Sequence, residues 1–317
     1  MTQAEKKGIH LSAIVPVTEG RYDNVAEVFE EYRDALAATG SSFEMIYVLD
    51  GELPVVREAL RGLKDAGAPL TIVQMAKPYG EALAIMVGFE HASGEVILTL
   101  PAFRQVEPRA LGGLIAALGD TDLVVARRWP RTDPAYNRVQ ARMFNWLLGW
   151  VSDVEVHDAG CNVRVFKRRV LEEVQLYGNQ HRFFALLAHQ QGFKVKEVDT
   201  PQAQADTFRR VYSPGTYLGY LLDFLTVFFL VKFTKRPLRF FGILGSGVFA
   251  LGFLITLYLI AERLLGGVAL ANRPALILSS LLIILGIQVL AIGLIGEIII
   301  FTHAREIKEY TIAEIVN

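Results

Sequence analysis

Seven cations follow apolar or weakly charged stretches in the first two thirds of this 317-residue sequence: Lys77, Arg104, Arg127, Arg128, Arg131, Arg209 and Arg210. A guanidinium offers its N–H groups as a rigid fork that fits two oxygens of a phosphate or carboxylate. Phosphoryl binding is the chemistry such residues suit. Arg164 belongs with them, because it follows the glycine turn at Gly160 and sits between Val163 and Val165, where a long cation needs an anionic partner. Asp158 stands just before that turn, as a reacting carboxylate or a brace. Asp50 closes the run Tyr47-Val48-Leu49 ahead of Gly51, as a turn former or a ligand contact. Metal ligands are few: His157, His181 and His189 lack a common metal-ligand spacing and read as structural or surface residues, and no zinc-type pattern occurs. The single cysteine, Cys161, excludes an intrachain disulfide and reads as a small buried hydrophobe in a reducing compartment. A formal net charge of −1 gives no reason to expect nucleic acid as a partner.

These residues need a frame, and the apolar pattern supplies one. His10–Val17, Phe43–Leu49, Leu70–Met75, Val96–Leu100 and Leu123–Ala126 are apolar runs of strand length. Between them Asn24–Leu36, Val55–Lys64, Gly80–His91 and Arg109–Leu118 have helical spacing, with Val25, Val28, Phe29 and Tyr32 on one face of the first. Alternating strands and helices predict a Rossmann-like α/β domain with right-handed crossovers and a mostly parallel sheet. Ligands of such sheets bind outside the carboxyl ends of the strands. The loops after Val17, Leu49, Met75 and Leu100 are therefore where the chemistry is expected. Glu81 opens a helix there and complements its dipole.

Near residue 235 the solvent changes. Beyond Lys232, Lys235, Arg236 and Arg239, the runs Phe240–Ile260 and Ala275–Gly296 contain no Asp, Glu, Lys or Arg. About 20 apolar residues match the roughly 30 Å hydrocarbon core of a bilayer. A two-helix membrane hairpin is the expectation. Basic residues lie before the first span and after the second (Arg305, Lys308), so both ends face the cytoplasm by the positive-inside rule. Met1–Gly8 is polar and does not read as a signal peptide. Gly242, Ser246 and Ala250 share one face of the first span and allow close helix contact, within the hairpin or between subunits. Glu297 falls within reach of His303 or Arg305. Two further segments read as interfacial: Phe144–Trp150, with its paired tryptophans, and Tyr217–Phe233, an apolar stretch interrupted by Asp223.

The loops carry a resemblance. Ile14-Val15-Pro16-Val17 with the turn after it, and Val48-Leu49-Asp50-Gly51, resemble the start of a family 2 glycosyltransferase of the GT-A fold. Lys77-Pro78-Tyr79-Gly80-Glu81-Ala82, Gly88 and Ala92-Ser93-Gly94-Glu95 are similar to that family's Asn-x-Gly helix and Ala-x-Gly-Asp strand start. His157-Asp158-Ala159-Gly160-Cys161-Asn162-Val163-Arg164 resembles the Asp-x-x-Gly-Phe-Arg region of its polyprenyl-phosphate branch. In the same order follow His181-Arg182-Phe183-Phe184, Arg209-Arg210-Val211-Tyr212-Ser213 and Lys235-Arg236-Pro237-Leu238-Arg239. The resemblance implies a nucleotide-sugar donor, a polyprenyl-phosphate acceptor and a glycan-building role at the cell envelope. It assigns donor contacts to Pro16, Val17, Glu19, Asp50, Lys77, Gly80, Ala102, Arg127 and Arg128. Catalytic roles go to Asp158, Arg164 and Gln105, and phosphate contacts to Arg131, Arg209, Arg210 and Tyr212.

The sequence departs from the family after Leu100. An Asp-x-Asp-x-Gln is expected there to hold a divalent metal, and this chain has Pro101-Ala102-Phe103-Arg104-Gln105, with Gln105 and Pro108 in register. Neither Pro nor Phe ligates a hard cation. No cofactor or metal is therefore expected. Two readings follow: an enzyme that replaces the metal with cationic side chains, or an inactive homologue acting as a membrane-bound scaffold. The expected organisation is a cytoplasmic GT-A-like domain over 1–215, an interfacial helix and linker over 216–237, two spans (about 240–260 and 275–299) within 238–304, and a tail over 305–317. Expected partners are nucleotide sugar, polyprenyl phosphate, the inner membrane and a second copy of the chain.

Overall fold

The computed structural model describes residues 10–20, 22–131, 157–174, 180–206, 237–266 and 274–303. They fall into two compact units, divided between the last described residue of the first, Asp206, and Pro237.

The first unit is built on a seven-stranded sheet: β1 Leu11–Val17, β2 Phe43–Leu49, β3 Leu70–Gln74, β4 Val96–Thr99, β5 Leu123–Arg128, β6 Arg164–Lys167 and β7 Val195–Thr200, in spatial order β3-β2-β1-β4-β6-β5-β7. The pairings β1–β2, β1–β4, β2–β3 and β5–β7 are parallel, whereas β6 runs antiparallel to β4 and β5. The amino end of β6 therefore lies beside the carboxyl ends of its neighbours. Helices α1 Val25–Ala37, α2 Pro54–Asp65, α3 Glu81–His91, α4 Leu111–Ala116, α5 Arg168–Glu173 and α6 Phe184–Gln190 complete the unit.

Side chains alternate across a strand, and both faces of the sheet are buried. Leu11, Ala13, Val15 and Val17 of β1 join a core with Val25, Val28, Phe29 and Tyr32 of α1, while Ile14 joins a second core with Ala84 and Ile85 of α3. Burial on both faces is why these strands read as continuous apolar runs. The α3 helix lies close on the sheet because Gly88 has no side chain: a Cβ there would sit 2.5 Å from Ile14 Cγ2. Asn24 caps α1, its side chain accepting from the Ala26 N–H at 3.3 Å.

Three details differ from the sequence expectation. The helix expected over Arg109–Leu118 is a short 3-10 turn, Pro108–Ala110, followed by α4, since Pro108, Gly112 and Gly113 propagate a helix poorly. Strand β5 runs on to Arg128, because its pairing with β7 continues to Thr200. Arg127 and Arg128 are therefore strand residues. Strand β7 itself has no apolar run to announce it, as Lys196, Glu197 and Asp199 interrupt its valines.

The second unit is a helix pair, α7 Pro237–Gly266 and α8 Pro274–His303, both longer than the apolar runs because the polar residues flanking those runs stay helical. Each is long and apolar enough to cross a membrane, and little of either is buried inside the protein. The pair packs through glycine. A Cβ on Gly245 would lie 2.8 Å from Gly286 O, one on Gly252 2.8 Å from Ser279 O, and one on Gly286 2.5 Å from Phe249 N. Gly242, Ser246 and Ala250 do not make the contact within the hairpin: Ser246 and Ala250 are exposed, and a Cβ on Gly242 would meet only Leu238 of its own helix. Glu297 reaches the start of α7, where its Oε2 accepts the Leu238 N–H at 3.3 Å, while Arg305 and the side chain of His303 lie outside what the structure describes. One of the orphan donors of a helix start is thereby satisfied.

Candidate functional site

The carboxyl ends of β1 to β5 and the amino end of β6 form one edge, and the sequence candidates gather along it. Val17 and Pro16 are buried in β1, and the side chain of Val17 is spent in the core. Glu19 is exposed in the turn beyond. Asp50 accepts the Tyr79 N–H at 2.6 Å and the Gly80 N–H at 3.0 Å, so its carboxylate fixes the start of α3. That junction needs its glycines. Gly80 has φ +101, and Gly51 has φ +95 with room for a Cβ only 3.0 Å from the Pro78 ring. Lys77 is exposed, with its ammonium 5.2 Å from the Tyr79 ring.

The loop after β4 is held from below. The buried Tyr32 hydroxyl shares its proton between Pro101 O at 3.1 Å and Phe103 O at 3.2 Å, and burial raises that phenol well above its ordinary pKa. Ala102 O accepts the Asp23 N–H, and the Ala102 side chain is in the core. Arg104, a sequence candidate for phosphate, instead faces α1: it bonds Glu31 at 2.8 Å through two nitrogens and pairs with Asp23 and Glu27. Hydrogen bonding to Glu31 holds the guanidinium firmly charged, and the same bond lowers the Glu31 carboxyl. Gln105 is buried and spent on its neighbours, accepting the Asn162 N–H at 2.8 Å and donating to Gly160 O at 3.5 Å.

Arg128 and Asp158 also change role. Arg128 is 3% exposed and grips Asp158 in a bidentate pair, Nε to Oδ2 at 2.8 Å and Nη2 to Oδ1 at 2.9 Å, while Nη1 reaches Asp206 at 3.1 Å. The Arg128 N–H adds a further bond to Asp158 at 3.2 Å. Burial alone would raise the Asp158 carboxyl, but the Arg128 charge and hydrogen bonds outweigh it and hold the group below the usual carboxylate range. Both residues act as a buried brace joining β5 to the turn before β6. Arg131 approaches Asp158 at 3.7 Å, and Arg127 pairs with Asp199 at 3.4 Å while lying 5.1 Å from the Trp129 ring.

A different cluster occupies the start of β6. Arg164 is 2% exposed, and its guanidinium makes no hydrogen bond or ion pair with a described residue. Glu81, the first residue of α3, accepts Asn162 Nδ2 at 2.5 Å and lies 3.4 Å from His181 Nε2. Asn162 O in turn accepts the Thr99 hydroxyl at 3.0 Å. Spacing did not reveal that Glu81 and His181 come together here, because α3 and the 3-10 turn Gln180–Phe183 are far apart in sequence. Arg209, Arg210 and Tyr212, like Phe144–Trp150 and Tyr217–Phe233, lie outside the described residues. Among the described residues no three His, Cys, Asp or Glu side chains come together as metal ligands.

The profile of glycosyl transferase family 2 matches residues 12–175, more than half of the chain, with the strand ends of this edge from β1 to β6. A dodecaprenyl-phosphate galacturonate synthase from Rhizobium johnstonii is 26% identical over 95% of this chain and 90% of its own. An undecaprenyl-phosphate 4-deoxy-4-formamido-L-arabinose transferase from Pseudomonas aeruginosa is 29% identical, over 97% and 90%. Among solved structures, a mannosyltransferase from Pyrobaculum calidifontis is a distant likeness, 17% identical with a TM-score of 0.46, covering 94% of this chain and 80% of that one.

Proposed function

The chain belongs to glycosyl transferase family 2, and we propose that it moves a sugar from a nucleotide-sugar donor to a polyprenyl phosphate at the cytoplasmic face of a membrane. The observation that carries this reading is the extent of the match. The polyprenyl-phosphate sugar transferases align with nearly the whole chain, the apolar helix pair included, so anchor and sheet domain are shared together. That favours the enzyme over the scaffold reading. In the transfer, an acceptor phosphate oxygen bonds to the anomeric carbon as its bond to the donor diphosphate breaks. The electron pair leaves on the nucleoside diphosphate. The attacking phosphate is already an anion, so the harder task is neutralising the leaving group.

The family resemblance implies a metal for that task, and the donor set here does not fit one. Pro101 and Phe103 offer no side-chain oxygen, their carbonyls accept from Tyr32, and Asp23 is drawn to Arg104. The charge must come from cations. Lys77 stands exposed at the edge, and Arg209, Arg210 and Tyr212 remain the sequence candidates for phosphate contact. Purified protein should transfer label from at least one of a panel of nucleotide sugars to polyprenyl phosphate. Arg209→Ala with Arg210→Ala should cut the rate by about ten- to a hundredfold per lost contact, with the protein still folded. No transfer across the panel would refute the reading.

A further inference from the structure

We propose that Arg164 is the phosphate-binding cation of a metal-free site, its guanidinium taking phosphoryl oxygens of a bound substrate. The inference rests on the transferase reading above and names how the charge is met. A buried cation without a hydrogen-bonded partner is costly, and proteins keep one where a ligand completes it. Among the described residues Arg164 has no such partner. It is 2% exposed and sits at the amino end of β6, where that strand's reversal sets it beside the last residue of β4 and the middle of β5. Its pairing register is with Thr99 and Val125, and substrates of a parallel sheet lie off the carboxyl ends of those strands.

Three other arginines of the edge are already committed. Arg104 is held by Glu31, Arg128 by Asp158 and Asp206, and Arg127 by Asp199. Around Arg164, Cys161, Glu81 and Asp158 favour its charge and Arg182 opposes it. None neutralises it: Asp158 is spent on Arg128, Glu81 is shared by Asn162 and His181, and burial raises the Cys161 thiol to about 11. Burial accordingly pulls the Arg164 guanidinium below its ordinary pKa. Two phosphoryl oxygens would supply the missing bidentate partner. Glu81, held by Asn162 and His181, is the positioning carboxylate beside it.

The test uses the full chain in detergent with a chelator present throughout. Thermal unfolding is followed with inorganic pyrophosphate and a panel of nucleoside diphosphates, which report the donor side, and separately with a polyprenyl monophosphate, which reports the acceptor side. At least one arm should stabilise the wild type without metal. Arg164→Met should abolish that shift, weakening binding by about ten- to a hundredfold, and Arg164→Lys should restore part of it. Without ligand, Arg164→Met should melt at or above the wild type, since it removes an uncompensated buried charge. The proposal is overturned if stabilisation requires a divalent metal, if Arg164→Met keeps the ligand shift, or if unliganded Arg164→Met melts lower or fails to fold. Metal-free, Arg164-dependent binding with no sugar transfer would uphold this inference and sink the transferase reading. Transfer that requires metal would do the reverse.

Discussion

At the scale of the residue, the chemistry of this chain turns on which charges are spent inside the protein. Arg128 and Asp158 have the residue types of a catalytic pair, yet each is almost wholly buried and bonded to the other. Their value is structural. Breaking such a pair leaves an uncompensated buried charge and typically costs about 3–5 kcal/mol, and Asp206 retains a hold on Arg128, so Asp158→Asn should fall near the lower end. Thermal unfolding of the full chain in detergent would measure it. The pH dependence has a definite sign. The Asp158 carboxyl is depressed in the folded state, so its contribution is complete above the unfolded value of about 3.9 and is lost as pH falls through the folded value. Acid titration of the wild type should therefore show stability falling away below about pH 4, and Asp158→Asn should start lower and show a shallower fall. An unchanged acid profile in the variant would place the sensitivity elsewhere.

At the scale of the element, loops are positioned by helices that touch no substrate. The α1 helix fixes the loop after β4 through Tyr32 and through the carboxylates that grip Arg104, and α3 is seated by Asp50 at its start and Gly88 along its length. In the helix pair the decisive contacts are backbone to backbone. Gly286→Val would drive side-chain atoms into Phe249, whereas Gly247 has nothing within 4 Å of a Cβ. Gly286→Val should lower the melting temperature in detergent markedly, and Gly247→Val should stay within about 0.5 kcal/mol of the wild type. Equal effects of the two substitutions would mean that α7 and α8 do not pack through this face.

At the scale of the whole molecule, a sheet domain and an apolar helix pair share one chain, and the proposed topology joins them to one side of a membrane. Protease added to vesicles with the cytoplasmic face outward should cut both the sheet domain and the segment after His303. Protease added from the opposite face should reach neither. Protection of either segment from the cytoplasmic side would rule out the two-span arrangement.

The first five strands, the membrane-length helices and the loss of the acidic metal motif were legible in the amino-acid order alone. Each rests on local information: strands buried on both faces must be apolar throughout, a bilayer core sets a minimum apolar length, and Pro101 and Phe103 have no oxygen to offer whatever surrounds them. Strand β7 escaped because its charged residues break any apolar run, and the face of α7 that packs in the hairpin was not singled out because small residues occur around the helix. The site was less legible still. Arg104, Arg128 and Arg164 look alike in sequence as long cations near strand ends. Only the tertiary structure gives the first two their carboxylates, from α1, from the turn before β6 and from Asp206, and leaves the third buried with no bonded partner among the described residues. A charge is free or spent according to what folding brings within about 3 Å of it, and that distance is not written in the order of residues.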